Sequence, residues 1–229
     1  MSYLTRNVKN AAAEKEDDVA DRVPLDLDPP VRQLKLLLLG ITDDDLRSPT
    51  PCDDWTVGDL LDHIVEVARA LTQAAQKLAE APGTAGALPP PSAARLPTHW
   101  RGRLPVLLED LATAWKDPAA WAGSAQLGGT AMPAIAAGTE AANELTMHGW
   151  DLARATGQDF ATDPRILEAL IESLSQNAGR AVPVIEGADE QMLLEAALEL
   201  SGRDPAWLRP RTTIPAQRGV SARSTSAAE

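Results

Sequence analysis

The sequence predicts an all-α protein, a four-helix bundle followed by additional short C-terminal helices. Two observations carry this expectation. Apolar residues recur at three- and four-residue spacing in one segment after another, the period of a single buried helix face. No segment alternates apolar and polar residues over the length a half-buried strand needs. The one β-leaning run, Ala181-Val182-Pro183-Val184-Ile185, is interrupted by its proline. With 229 residues, 44% of them apolar, the chain is long enough for one well-buried domain.

Residues 1–28 read as a flexible N-terminal arm. Charge is mixed around Glu14-Lys15-Glu16-Asp17-Asp18, a transient helix over 11–19 is the most that could form, and no core-forming face develops. The domain is expected over 29–209. Its first helix sets Val31, Leu34, Leu37, Leu38 and Ile41 on one face. Pro29 and Pro30 suit the first turn, and Thr42-Asp43-Asp44-Asp45 closes the segment. Pro49 and Pro51 stiffen the loop that follows. Thr56 then reads as an N-cap with Asp59 at the capping-box position. The second helix carries Val57, Leu60, Leu61, Ile64, Val67, Ala68 and Leu71 inward and is expected to reach about residue 80. Residues 81–99, rich in Pro, Ala and Gly, form a connection.

The third helix is expected over 102–117, with Leu104, Leu107, Leu108, Leu111 and Trp115 inward and Pro118 ending it. After Gly128-Gly129 the fourth spans 132–155 and stops at Gly157. Two shorter helices follow at 164–179 and 189–200, with Gly202 just past the second. The tail, 210–229, is made largely of Ser, Thr, Arg and Ala and is expected to be disordered.

A net charge of −12 disfavours nucleic acid, whose binding depends on Lys and Arg meeting phosphates, and equally disfavours acidic membranes. No run approaches the ~18 apolar residues of a membrane helix, and the opening residues lack a secretory pattern. The lone Cys52 excludes an intramolecular disulfide and suits a reducing compartment. A cytoplasmic protein is expected. Monomer and homodimer both remain open.

Only three histidines occur, His63, His99 and His148. His148 follows Glu144 by one helical turn, so both side chains leave the same face and could hold one ion. Such pairs also occur as solvated surface neighbours. Here, however, Glu144 and His148 flank the apolar stripe of Ala141, Leu145 and Leu152. His63 likewise sits between Leu60 and Val67 on the second helix. Bundle interiors are where carboxylate and imidazole ligands from facing helices converge on a metal. Two imidazoles and one carboxylate suit Zn²⁺ with a position left open, and would also accept Fe²⁺, Ni²⁺ or Co²⁺. Trp55, Asp151 and Arg154 are candidates for cofactor binding, and His99 and Arg154 for catalysis. Cys52 is either a reactive thiol beside the site or a small packed residue in a Pro-rich turn. Trp150 reads as packing.

The stretch Thr50-Pro51-Cys52-Asp53-Asp54-Trp55-Thr56-Val57, leading through Asp59-Leu60 to His63, resembles the first motif of the DinB-like metal-binding superfamily. Within it, the chain is similar to the mycothiol-dependent maleylpyruvate isomerase-like branch, in its single-domain actinobacterial members. The second motif is Asn143-Glu144-Leu145-Thr146-Met147-His148-Gly149-Trp150-Asp151-Leu152-Ala153-Arg154-Ala155-Thr156-Gly157. The stretch Ser201-Gly202-Arg203-Asp204-Pro205-Ala206-Trp207 also resembles those members. The resemblance implies a DinB-like four-helix bundle with Zn²⁺ on His63, Glu144 and His148. It further implies mycothiol as a thiol cosubstrate, held as a metal-bound thiolate for S-transfer to, or isomerisation of, a small electrophile. Two alternatives keep the metal. One is a hydrolase, lyase or cyclase using metal-bound water or Lewis acidity, and the other a non-catalytic metal-binding protein.

Overall fold

Two prolines open the first helix, α1 (Asp28–Gly40), where missing amide protons cost nothing. The computed structural model describes residues 24–52, 54–78, 88–178 and 187–210. The core begins at Leu27, whose carbonyl accepts from the Val31 amide, and continues through Val31, Leu34, Leu37 and Leu38.

Helix α2 (Val57–Ala75) starts on the capping box read from the sequence: the Thr56 hydroxyl takes the Asp59 amide while the Asp59 carboxylate takes the Thr56 amide. Leu60, Leu61, Ile64, Val67, Ala68 and Leu71 are all buried. The helix ends at Ala75, before the expected position near 80. The chain turns there, with Lys77 at φ +55° and donating to the Ala120 carbonyl. Helix α3 (Trp100–Trp115) buries Leu104, Leu108, Leu111 and Trp115.

A β-hairpin, absent from the sequence-based expectation, then intervenes. Strand β1 (Ser124–Leu127) pairs antiparallel with β2 (Thr130–Pro133) across Gly128 and Gly129, both at positive φ. Each strand has only four residues, and β2 has no buried residue, so no period-2 pattern could develop. The Gly-Gly dipeptide was the local signal. As a result Met132 and Pro133 are strand, and α4 (Ala134–Thr156) begins after them. It stops, as expected, at a left-handed Gly157.

Helix α1 packs on α3 and α4, and α2 packs on the same two, so α1 and α2 lie diagonally across the bundle. The ion pairs Lys116–Asp28 and Lys35–Glu109 mark α1 and α3 as antiparallel. Helices α5 (Pro164–Ala178) and α6 (Glu190–Leu200) pack on each other, and α5 leans on α4. Among the described residues no helix is long and apolar enough to cross a membrane. The 11–19 and 181–185 runs lie outside the described residues.

Alanines and Gly138 let α4 run close to its neighbours. A Cβ on Gly138 would sit 2.3–2.7 Å from the Trp121 ring. That ring cannot swing away easily, because Trp121 is buried and its Nε1–H donates to the Trp115 carbonyl at 2.7 Å. Gly138→Val is therefore expected to cost about 2–3 kcal/mol, overpacking outweighing the helix propensity gained on removing a glycine. An unchanged melting temperature would contradict this close approach.

Candidate metal centre

The site is built where the 48–55 loop meets α2 and α4. The Val57 amide donates to the Ser48 carbonyl, and both the Thr50 amide and hydroxyl donate to the Trp55 carbonyl. Asp54 takes a positive φ of 64° to close the turn. This fold-back lays the Trp55 ring against both imidazoles, 4.9 Å from His63 and 6.0 Å from His148 between centroids. It also brings Cys52 against α4.

His63 comes from the second turn of α2, and Glu144 and His148 from successive turns of α4. Glu144 Oε2 lies 3.3 Å from His63 Nε2 and 3.0 Å from His148 Nε2. The three donor atoms all fall within 4.8 Å of one another. Donors tetrahedral around Zn²⁺ at ~2.0–2.1 Å stand ~3.3 Å apart, so the two separations from Glu144 fit such an ion.

His148 is almost fully buried, and both its ring nitrogens face carboxylates. Nδ1 is 3.0 Å from Asp151 Oδ2, while Nε2 faces Glu144. A neutral imidazole carries one proton. With that proton on Nδ1, the Nε2 lone pair would point at an anion, which is repulsive unless a second proton or a metal cation lies between them. The metal-free ring takes the proton. Burial opposes its charge, but hydrogen bonds to Asp151, Cys52 and Glu144 win and hold its pKa well above the usual histidine value. Burial likewise pushes Glu144 up, yet the two imidazoles overcome it and hold this carboxyl well below the ordinary range.

Asp151, fully buried, gathers donors from three parts of the chain. Its Oδ2 accepts from His148 Nδ1, from the Cys52 thiol at 3.0 Å and from Arg203 Nη2 at 2.8 Å, and its Oδ1 accepts from Arg203 Nε at 3.0 Å. Burial raises its pKa, but the bonds from His148 and Arg203 keep it depressed and the group ionised. Burial pushes the Cys52 thiol up. Cys52 thus serves as a packed S–H donor, and the helix N-terminus does not make it a thiolate.

The other candidates sit elsewhere. His99 is exposed at the N-cap position of α3 and belongs to neither ligand cluster among the described residues. Arg154 donates to the Trp207 carbonyl at 2.7 Å and stacks over buried Trp150, so it fastens the C-terminal segment and does not reach the three donors. Sequence reading missed two residues. Arg203 lies in the Ser201–Trp207 stretch, whose resemblance was visible but whose contact with Asp151 was not. Glu140 stands one turn before Glu144 on the same face of α4, and burial together with the Glu144 charge pushes its carboxyl up.

Two curated relatives, both described as uncharacterised proteins of Mycobacterium tuberculosis from different strains, are 29% identical over 152 residues. The alignment covers 66% of this chain and 75% of theirs. A crystal structure of the mycothiol-dependent maleylpyruvate isomerase aligns over 66% of this chain and 69% of its own. Its TM-score is 0.47 and its identity 18%. A family model described as the mycothiol maleylpyruvate isomerase N-terminal domain matches residues 27–153, a span that contains His63, Glu144, His148 and Asp151. By that match over more than half its length, the chain belongs to the mycothiol maleylpyruvate isomerase N-terminal domain family.

Proposed function

We propose that the protein is a metal-dependent enzyme in which His63, Glu144 and His148 hold a divalent ion, Zn²⁺ foremost. It would activate a low-molecular-weight thiol, mycothiol, for transfer to or isomerisation of a small cytoplasmic electrophile. The observation that carries this reading is the convergence of His63 Nε2, Glu144 Oε2 and His148 Nε2 from two helices, with donor atoms all within 4.8 Å of one another. Family membership supports the thiol and the isomerase class.

A divalent cation bound there supplies Lewis acidity that keeps a coordinating thiol deprotonated at neutral pH. The chain's own residues do the rest. Three protein donors leave a coordination position free for the cosubstrate, the arrangement of catalytic rather than structural zinc. Asp151 holds the His148 proton on Nδ1 and so presents the Nε2 lone pair to the site. Trp55 packs its ring against both imidazoles on one side of the site.

The test uses protein loaded with Co²⁺ in place of the native metal. Adding excess mycothiol is expected to produce an intense near-ultraviolet thiolate-to-cobalt band. A spectrum unmoved by thiol would remove the thiol from the reading. Product analysis with and without thiol would then address chemistry at bound water.

A further inference from the structure

Residues 201–210, which follow α6, are tied to both walls of the site. Ser201 Oγ lies 3.4 Å from Met147 Sδ on α4, and the Trp207 carbonyl accepts from Arg154 on the same helix. At the far end Arg209 donates to Asp45 Oδ1 at 3.0 Å and to the Ser48 hydroxyl, gripping the base of the loop that carries Cys52 and Trp55. Between these anchors, Arg203 sends its side chain inward until only 15% is exposed, and its fork meets both oxygens of Asp151.

We infer that Arg203 is a positioning residue of the metal centre, acting through Asp151 on His148, so that an intact site requires the docked C-terminal segment. The geometry is specific to this role. Asp151 Oδ2 takes the Arg203 Nη2–H and the His148 Nδ1–H together, while Nε–H of the guanidinium fixes Oδ1. A two-point grip sets the plane of the carboxylate, and that plane sets the direction in which Nδ1–H must point. The ring's other nitrogen is then aimed at Glu144 and His63. Without the fork, Asp151 is held only at Oδ2, by His148 and Cys52, so the plane of the carboxylate and with it the His148 ring are no longer fixed. The family match ends at residue 153, so Arg203 lies outside the matched span. The interaction closes the site with a residue more than fifty positions beyond its ligands on α4.

This inference rests on the metal reading proposed above, and the experiment separates the two. Full-length apo-protein is titrated with Zn²⁺ against a chromophoric chelator, for wild type and for Arg203→Met, Arg203→Lys, Arg154→Met, Asp151→Asn and the Arg203→Met/Asp151→Asn pair. Loss of an outer hydrogen-bond partner of a ligating histidine weakens metal binding by roughly 10–100-fold, and Arg203→Met is expected to fall in that range. Arg203→Lys, which keeps the charge and loses the fork, is expected to weaken binding as well. Arg154→Met removes one anchor of the segment but leaves the Arg203–Asp151 contact and the Arg209 anchor in place, and is expected to stay within about twofold of wild type, since it shares no partner with the site. In the Asp151→Asn background, Arg203→Met is expected to add nothing further.

Equal zinc affinity in wild type and Arg203→Met would overturn the inference, as would additive losses in the paired variant. Tighter binding on removing Arg203 would mean that its charge merely repels the ion, and would overturn it too. A residue that only braced the fold would lower the melting temperature of apo- and zinc-loaded protein alike and leave affinity unmoved. Wild type that bound no zinc would instead sink the metal reading itself.

Discussion

His148→Ala protein, purified beside wild type and submitted to elemental analysis, is expected to carry no stoichiometric metal and to show only background thiol-dependent turnover. Two effects combine. The substitution removes one of three converging donors, leaving His63 Nε2 and Glu144 Oε2 alone. It also deprives buried Asp151 of the Nδ1–H it accepts. Losing a ligand should exceed the roughly 10–100-fold penalty seen when only an outer hydrogen bond to a ligand is lost, which is enough to empty the site during purification. His63→Ala gives an independent check. It leaves the Asp151 cluster intact and is expected to lose metal to a similar degree while retaining more of the native stability. Equal metal content in His148→Ala and wild type would mean that the three residues do not hold the ion.

Zinc affinity is expected to rise with pH, by up to about tenfold per unit below the raised His148 pKa, because the ion must displace a proton. In the metal-free protein hydrogen bonds to Asp151, Cys52 and Glu144 hold the His148 pKa well above the ordinary histidine value of 6.5, with Nε2–H facing Glu144. Below that raised pKa, each unit of pH removes a factor of ten in competing protons. The sign for folding runs the opposite way. A raised histidine pKa stabilises the apo-fold fully below about 6.5, and the contribution fades as pH climbs through the folded value. The carboxyls of Glu144 and Asp151 are held below their ordinary values of 4.5 and 3.8. They stabilise the fold above that range and lose this contribution as pH falls through their folded values. Apo-protein should therefore lose stability on raising pH while the increment in melting temperature produced by zinc grows. Thermal melts with and without zinc at pH 6, 7 and 8 read both trends, and a zinc increment that was flat or shrank with pH would contradict the protonated His148.

Much of the bundle was legible because its signals are local. The Thr56–Asp59 capping box, the apolar face from Leu60 to Leu71 and the Gly157 stop each depend on residues a few positions apart, and each stands where expected. The early end of α2 and the 124–133 hairpin were not legible. A helix terminus in a Pro- and Gly-poor stretch is set by what the chain packs on, here Lys77 reaching Ala120. Four-residue strands are too short to show a period.

The candidate ligands divide in the same way. Glu144 and His148 are related by helical spacing, so any helix through them juxtaposes the two side chains. His63 could be placed beside them only because scarce histidines and the motifs around both helices pointed to one bundle interior. What the sequence determined by itself was the set of helices, their inward faces and the donors those faces carry, all consequences of periodicity and capping. What only the tertiary structure decided was the second layer of the site. Cys52, Asp151 and Arg203 are far apart in the chain and join on one carboxylate because burying Asp151 demands that every donor within reach compensate its charge.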